Sequence, residues 1–288
     1  MTSTDRNPQA QQMGDESMVR NLAWQAQAIW PQERALFTRY GLAGPLRILD
    51  LGCGTGEITR RLAELYPQAE VTGIDILDSN LAFARRDNAG FEGRVHYAVG
   101  DAFALALADA HFDLVVCRHM SQAVPHFEQV LDEIGRILKP GGWLHLLSED
   151  YGMLRMPRHV ADAALRGIGV ADVRDFDADR FWVDHALKFL EGIQCDGRIG
   201  RHSPALLEAR GYSAMAVDYV VVDTVRVPRA IFADILVAWR DGFAAPLAQA
   251  SGRDVAAVRA DFDAMINDVL TPPRYVVWHV PVVSARRP

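Results

Sequence analysis

Three carboxylates and a cluster of glycines carry the first chemical signal. Asp50-Leu-Gly52-Cys53-Gly54-Thr55-Gly56 joins a short apolar run to an amphipathic one, and Asp75 and Asp101 each follow a later apolar run. Glycines at such a junction allow a tight turn and let a ligand approach backbone N–H groups at a helix start. Two phosphate-binding readings fail. A dinucleotide loop needs Gly-x-Gly-x-x-Gly, but its last position is Glu57, whose carboxylate at a helix start repels a pyrophosphate. A Walker loop needs Gly-Lys-Ser/Thr, and neither the lysine nor the spacing is there. Three carboxylates suit instead a ligand rich in hydroxyls and amines, cationic rather than anionic. Asp75 would accept from ribose hydroxyls. Asp50 would orient the loop or a water beside an ammonium group. Asp101-Ala102-Phe103 would sit beside an adenine, with the phenyl ring packing on it.

These residues need elements that bring them to one edge. Strands are expected at 46–51, 70–76, 95–99, 112–117 and 143–147, with helices between them, the last one ending at the breaker Lys139-Pro-Gly-Gly142. Short-range alternation of strand and helix is the pattern of a parallel sheet covered on both faces, in which the acids fall at a common carboxyl edge. Upstream, residues 1–17 are polar and read as a disordered tail. A helix from Met18 is broken at Pro31, and a second runs from Gln32 to Tyr40, so that 18–44 form a helical cap. Beyond Ser148 a helix is expected at 180–190, Ser203-Pro204 cap another, and a strand spans 214–227. Helices at 228–239 and 254–270 precede a final strand at 275–283. With no repeat or linker, 45–288 read as one elaborated domain carrying lid inserts at about 150–200 and 228–270.

Composition narrows the classes. Of 288 residues 50% are apolar and 23% charged, with a formal charge of −7, ordinary for a folded chain and unsuited to a nucleic-acid surface. Cys53, Cys117 and Cys195 are too few and too far apart for a disulfide framework or thiolate cluster, which points to a reducing compartment. No apolar run reaches eighteen residues and the first dozen lack the core of an export signal, so the expectation is a cytoplasmic protein with no membrane partner.

The constellation resembles the class I S-adenosylmethionine-dependent methyltransferases. Leu-Asp50-Leu-Gly-Cys-Gly-Thr-Gly56 is similar to that family's first signature, Gly73-Ile-Asp75 to its ribose-binding acid, and Gly100-Asp101-Ala102 to its adenine-side acid. Phe112-Asp-Leu-Val-Val116 resembles its fourth strand, and Leu138-Lys-Pro-Gly-Gly142 the turn before its fifth. The resemblance covers roughly 45–147 and extends loosely to the end. It implies a Rossmann-like α/β fold with a seven-stranded, mostly parallel sheet, helices on both faces, and strand seven inserted antiparallel beside strand six. It also implies S-adenosyl-L-methionine as cofactor, held by Asp50, Gly52, Cys53, Gly54, Gly56, Asp75, Ile76, Asp101, Ala102, Phe103 and Arg118. Cys53 is there as a small buried group, not a nucleophile.

Methyl transfer from a sulfonium is an in-line displacement, so the protein must hold a nucleophile, exclude water and manage one proton. No metal is demanded. His119, just past strand four, is the candidate base or substrate ligand, with a purely structural histidine as the equal alternative. Glu149 and Tyr151, after strand five, could line the acceptor pocket together with Asp150, the acidic pair favouring an amine. His126 is a weaker candidate. Trp24, Trp30, Phe181, Trp182 and His185 are lid or core aromatics, and Arg198, Arg201 and His202 either meet an acidic substrate or face water. The fourth strand lacks the Asn/Asp-Pro-Pro-Tyr/Phe run of amino-methylating nucleic-acid enzymes. A small metabolite is therefore the expected substrate, by N, O or C methylation, and self-association into a homodimer stays open. The competing functions are a cyclase, lyase or aminobutyryl-transfer enzyme using the same cofactor, and a non-catalytic cofactor-binding protein.

Overall fold

In a computed structural model, which describes residues 6–91, 93–155 and 178–288, the apolar runs become one twisted sheet. Its strands are β1 (Arg47–Leu51), β2 (Glu70–Asp75), β3 (Val95–Val99), β4 (Phe112–Arg118), β5 (Leu138–Leu147), β6 (Leu154–Arg155), β7 (Ser213–Asp223) and β8 (Val277–Arg286). The seven long strands lie in the order β3-β2-β1-β4-β5-β8-β7. The first five are parallel, and β8 runs antiparallel between β5 and β7, as the resemblance implies. The two-residue β6 adds a further antiparallel pairing, at Val277 and Trp278 of β8.

Period-two alternation on the central strands builds two cores at once. Ile48, Leu114 and Val116 face helix α3 (Glu57–Leu65), through Ile58 and Leu62, and the short turn of helix Leu36–Tyr40, through Phe37 and Tyr40. Leu49, Leu51, Val115 and Cys117 face the opposite way. There they meet α5 (Phe127–Ile137), which buries Phe127, Val130, Leu131, Ile134 and Ile137 at helical spacing. Each such fully buried side chain contributes about 1.5–3 kcal/mol relative to exposure. Asp78–Asp87 is α4. A third core lies beyond β8, where α2 (Glu16–Glu33), α9 (Arg229–Ser251) and α10 (Val255–Leu270) pack around Trp239, Phe232, Phe262 and Trp278.

Several local expectations are corrected. Pro31 does not break the first helix: it sits in the last turn of α2, which runs on to Glu33. Lys139-Pro-Gly-Gly142 is not a turn before β5 but a bulge inside it. Phe112 pairs with Leu138 and Leu114 already with Trp143, and Gly141 takes φ +76° to absorb the extra residues. Ser203 does not cap α8 (Ile199–Glu208): it is buried one turn inside, its hydroxyl donating to Gly200 O. Nor are residues 6–17 a frayed tail. They form α1 (Ala10–Met13), and Asp15 caps α2 by accepting from Ser17 N at 2.9 Å. Residues 1–5, and 156–177 of the expected first lid insert, lie outside the described residues. After them α6 (Ala178–Phe181), a π-helical turn (Trp182–Leu187) and α7 (Lys188–Gly192) follow one another. Among the described residues no helix is long and apolar enough to cross a membrane.

Candidate functional site

Because β1 to β4 are parallel, Leu51, Asp75, Gly100 and Arg118 all reach the same edge, and a cavity opens there. It has a volume of about 100 Å³ and is walled by Gly52, Gly54, Asp75, Ile76, Leu77, Asn80, Gly100, Ala102, Arg118 and His119 among others. The glycine loop can take its course only with left-handed backbone at Gly52, Gly54 and Gly56, φ +74°, +53° and +75°. A Cβ on Gly54 would stand 2.6 Å from Leu22 of α2, and one on Gly52 3.0 Å from the Met120 sulfur. Gly52 N and Cys53 N both donate to Ile74 O, locking the loop onto the end of β2.

Asp75 fixes the same corner. Its Oδ2 accepts from Gly54 N at 2.8 Å and its Oδ1 from Leu77 N at 2.9 Å. Burial lifts its pKa above the usual carboxylate range, against the pull of those backbone N–H groups. Asp50 lies one layer deeper. It is buried, outside the cavity wall, and accepts from Thr59 Oγ1 at 2.7 Å, tying β1 to α3. Desolvation raises it to about 6. Its side-chain hydrogen bond is thus to the helix after the loop and not to the loop itself.

Past β4 the chain turns through His119, at φ +52°, which is one of the lining residues of the cavity. His119 Nδ1 is 2.7 Å from Glu149 Oε1, while His119 Nε2 and Glu149 Oε2 are buried without partners. Opposite a carboxylate, which only accepts, Nδ1 is the donor of this bond. Arg118 belongs to a second buried group. Its Nε donates to Glu33 Oε1 at 2.8 Å; His145 Nε2 meets the same oxygen at 3.0 Å, and Tyr40 OH lies 2.6 Å from His145 Nδ1. Burial pushes Glu33 up, but the Arg118 charge and the His145 bond outweigh it and hold the carboxyl below its usual value. Arg118 Nη2 has no partner.

The expected residues therefore separate. Gly52, Gly54, Asp75, Ile76, Ala102, Arg118 and His119 line the cavity; Asp50, Cys53, Gly56, Asp101 and Phe103 do not. Cys53 is a buried thiol raised by desolvation and by Asp50 and Asp75. Asp101 and Phe103 sit outside, where Arg6 Nη1 lies 3.6 Å from Asp101 Oδ2 and its guanidinium 5.6 Å over the Phe103 ring. Asp150 is not a free acid: Arg201 grips both its oxygens, with Nη2 to Oδ1 at 2.8 Å. Tyr151 stacks on Trp182 at 5.8 Å, its phenol pushed well up by burial and by Glu149. His126 is exposed at the start of α5, and His202 pairs with Asp196. Asn7, Gln9, Ala10 and Met13 of the N-terminal segment also line the cavity, and sequence reasoning missed them along with Asn80, whose buried Oδ1 lacks a partner. The periodicity of 18–30 masked a shorter amphipathic turn just before it.

Residues 48–142 match a family described as "Methyltransferase domain". Over 100 residues the chain is 39% identical to malonyl-[acyl-carrier protein] O-methyltransferase of Methylococcus capsulatus, covering 35% of this chain and 36% of that protein. It is 32% identical over 165 residues to fatty-acid O-methyltransferase of Mycolicibacterium smegmatis, covering 56% of each. The chain thus spans about half, or less, of the length of these curated relatives. Phosphoethanolamine N-methyltransferase 2 of Haemonchus contortus, solved with S-adenosylhomocysteine, superposes with a TM-score of 0.61 at 18% identity. That superposition spans 100% of this chain and 61% of the other. Residues 48–142 are thus similar to a methyltransferase domain, and the fold built around them is shared with that solved structure.

Proposed function

We propose that the chain transfers a methyl group from S-adenosylmethionine to a small-molecule acceptor, with His119 as the base. One observation carries the reading: a histidine on the cavity wall whose Nδ1 is held by a buried carboxylate and whose Nε2 is left open. The residues fit the cofactor. Asp75 is a half-buried acceptor for vicinal hydroxyls, the glycine loop leaves room that side chains would fill, and Arg118 Nη2 and Asn80 Oδ1 are unspent groups for a carboxylate and an amine. Asp101 and Phe103 would meet the adenine once Arg6 gives way. Bound S-adenosylmethionine supplies a methyl on a sulfonium, the carbon–sulfur electron pair staying on sulfur as the bond breaks.

The chain's own part is positional and acid–base. Asp75 and the loop fix the nucleoside end, while the N-terminal helices and residues 178–200 and 228–270 cover the acceptor side and exclude water. The proton lost by the nucleophile passes to His119 Nε2, and the resulting imidazolium faces Glu149. The proposed setting is the reducing cytoplasm, where Cys53, Cys117 and Cys195 stay thiols. Incubation with methyl-labelled S-adenosylmethionine and pooled metabolites, read by mass spectrometry, should give S-adenosylhomocysteine with one labelled metabolite. Methylthioadenosine without labelled metabolite would assign the cyclising or alkyl-transferring chemistry instead. His119→Ala should lower kcat by about 10²–10⁴, with nucleoside affinity within a factor of about three; equal turnover would return His119 to a structural role.

A further inference from the structure

Next to the first cavity lies a second, about 30 Å³, walled by Tyr151, Trp182, Phe189, Trp239, Phe243 and Phe262, with no charged side chain among its described lining residues. Gln9 forms a wall of both. A long hydrogen bond, Nε2 to Gln122 O at 3.5 Å, and a contact with the Cys195 thiol hold the Gln9 side chain between them, and a ligand that displaces it would join the two spaces. The aromatic lining also reaches the base. Trp239 packs on Trp278 at 5.2 Å, and Trp278 on the His119 ring at 6.1 Å.

Resting on the methyltransferase reading above, we propose that this chamber selects the acceptor: an uncharged, largely apolar molecule with a ring system and an acidic hydroxyl. Three observations converge on it. Of the two carboxylates that could draw an amine, Arg201 takes both oxygens of Asp150 and His119 takes one oxygen of Glu149. The rings meet edge to face, Trp182 against Trp239 at 77° and against Phe262 at 82°, so their faces are covered by neighbouring edges and do not form an open cage for a cation. Finally, the indole N–H of Trp182, itself 2% exposed, has no partner among the described residues. An orphan donor in an apolar wall calls for an oxygen acceptor on the ligand and disfavours an ammonium group. A hydroxyl, like an amine, loses a proton as it is methylated, and His119 would take it. In that step the hydroxyl oxygen forms the new O–C bond, the C–S pair stays on sulfur, and the proton moves to His119 Nε2.

The test uses the full chain with 2-naphthol, ethanolamine and choline as probes, each with and without S-adenosylmethionine. Naphthol should quench the tryptophan emission of the chamber and become methylated, while the two amines do neither. Trp182→Phe keeps a ring but deletes the N–H; it should raise KM for naphthol about tenfold with kcat within a factor of two. Methylation of ethanolamine at higher kcat/KM than naphthol would overturn the acceptor class and leave the methyltransferase reading standing. Naphthol that neither binds nor reacts would do the same, provided the cofactor binds by calorimetry. Failure of the cofactor to bind, with naphthol quenching that Trp182→Phe still weakens, would instead overturn the methyltransferase reading and keep the chamber.

Discussion

At the scale of single residues, the two acids at the ends of β1 and β2 show how depth divides labour. Asp75 reaches the cavity, whereas Asp50, two residues before the glycines, is spent on Thr59. The residue types at both positions were legible from the sequence; their depth was not, because it depends on how closely α3 seats on β1. Depth has a pH consequence. Burial raises Asp50 to about 6, above its unfolded value of 3.8, so the folded state binds this proton more tightly. The group therefore favours folding below about pH 4, and that advantage is lost as pH rises through 6. Asp50→Asn keeps an acceptor for Thr59 and removes the titration. Its stability relative to wild type should rise by roughly 3 kcal/mol between pH 4 and 7, at 1.36 kcal/mol per pKa unit. Urea melts across that range check it, and a constant difference would mean that Asp50 titrates normally.

At the scale of elements, the five parallel strands were readable because each holds a short apolar run, the first three closed by Gly52, Asp75 and Gly100, and because the central ones are covered on both faces. The errors fall where a local signal was outvoted by pairing. Pro-Gly-Gly within β5 is a strong turn signal, yet β4 on one side and β8 on the other hold it in the sheet as a bulge, with Arg286 Nε donating to Gly141 O. The polar composition of 6–17 reads as tail, whereas Asn7, Gln9, Ala10 and Met13 line the cavity and Met13 packs on the core beyond β8. That segment has a function-bearing consequence. Arg6 rests on Asp101 and Phe103, the pair proposed to receive the adenine, and competes for both. The ion pair is long and partly exposed, with side chains 34% and 25% accessible, so it is worth about 0.2–1 kcal/mol. Arg6→Ala should therefore tighten S-adenosylhomocysteine about two- to fivefold by calorimetry. Weaker binding in the variant would make Arg6 a contact of the ligand rather than its competitor.

At the scale of the whole molecule, α2 is what joins the nucleotide half to the aromatic half. Ala26 packs in the core over β1 and β4, Met18, Ala28 and Ile29 in the core beyond β8, and Leu22 closes on Gly54. Its last residue, Glu33, plugs into the centre of the sheet, where it neutralises Arg118 of β4 and meets His145 of β5. No periodicity in the sequence announces this pairing, since the partners lie 85 and 112 residues away. Removing the negative charge leaves the Arg118 guanidinium buried and uncompensated, an imbalance that costs about 3–5 kcal/mol when one partner of a buried pair is lost. Glu33→Gln should thus lower the unfolding free energy by about 3 kcal/mol at pH 7. The pH dependence is opposite to that of Asp50. The Glu33 carboxyl is held below its usual 4.5, so its contribution is complete above that value and disappears as pH falls through the folded-state pKa. Wild type and Glu33→Gln should converge in strong acid and diverge toward neutrality. Because Arg118 also forms part of the cavity wall, the same variant should weaken S-adenosylhomocysteine binding at a pH where it remains folded. A variant that loses stability but binds the nucleoside as before would confine the Glu33–Arg118 pair to holding α2 on the sheet.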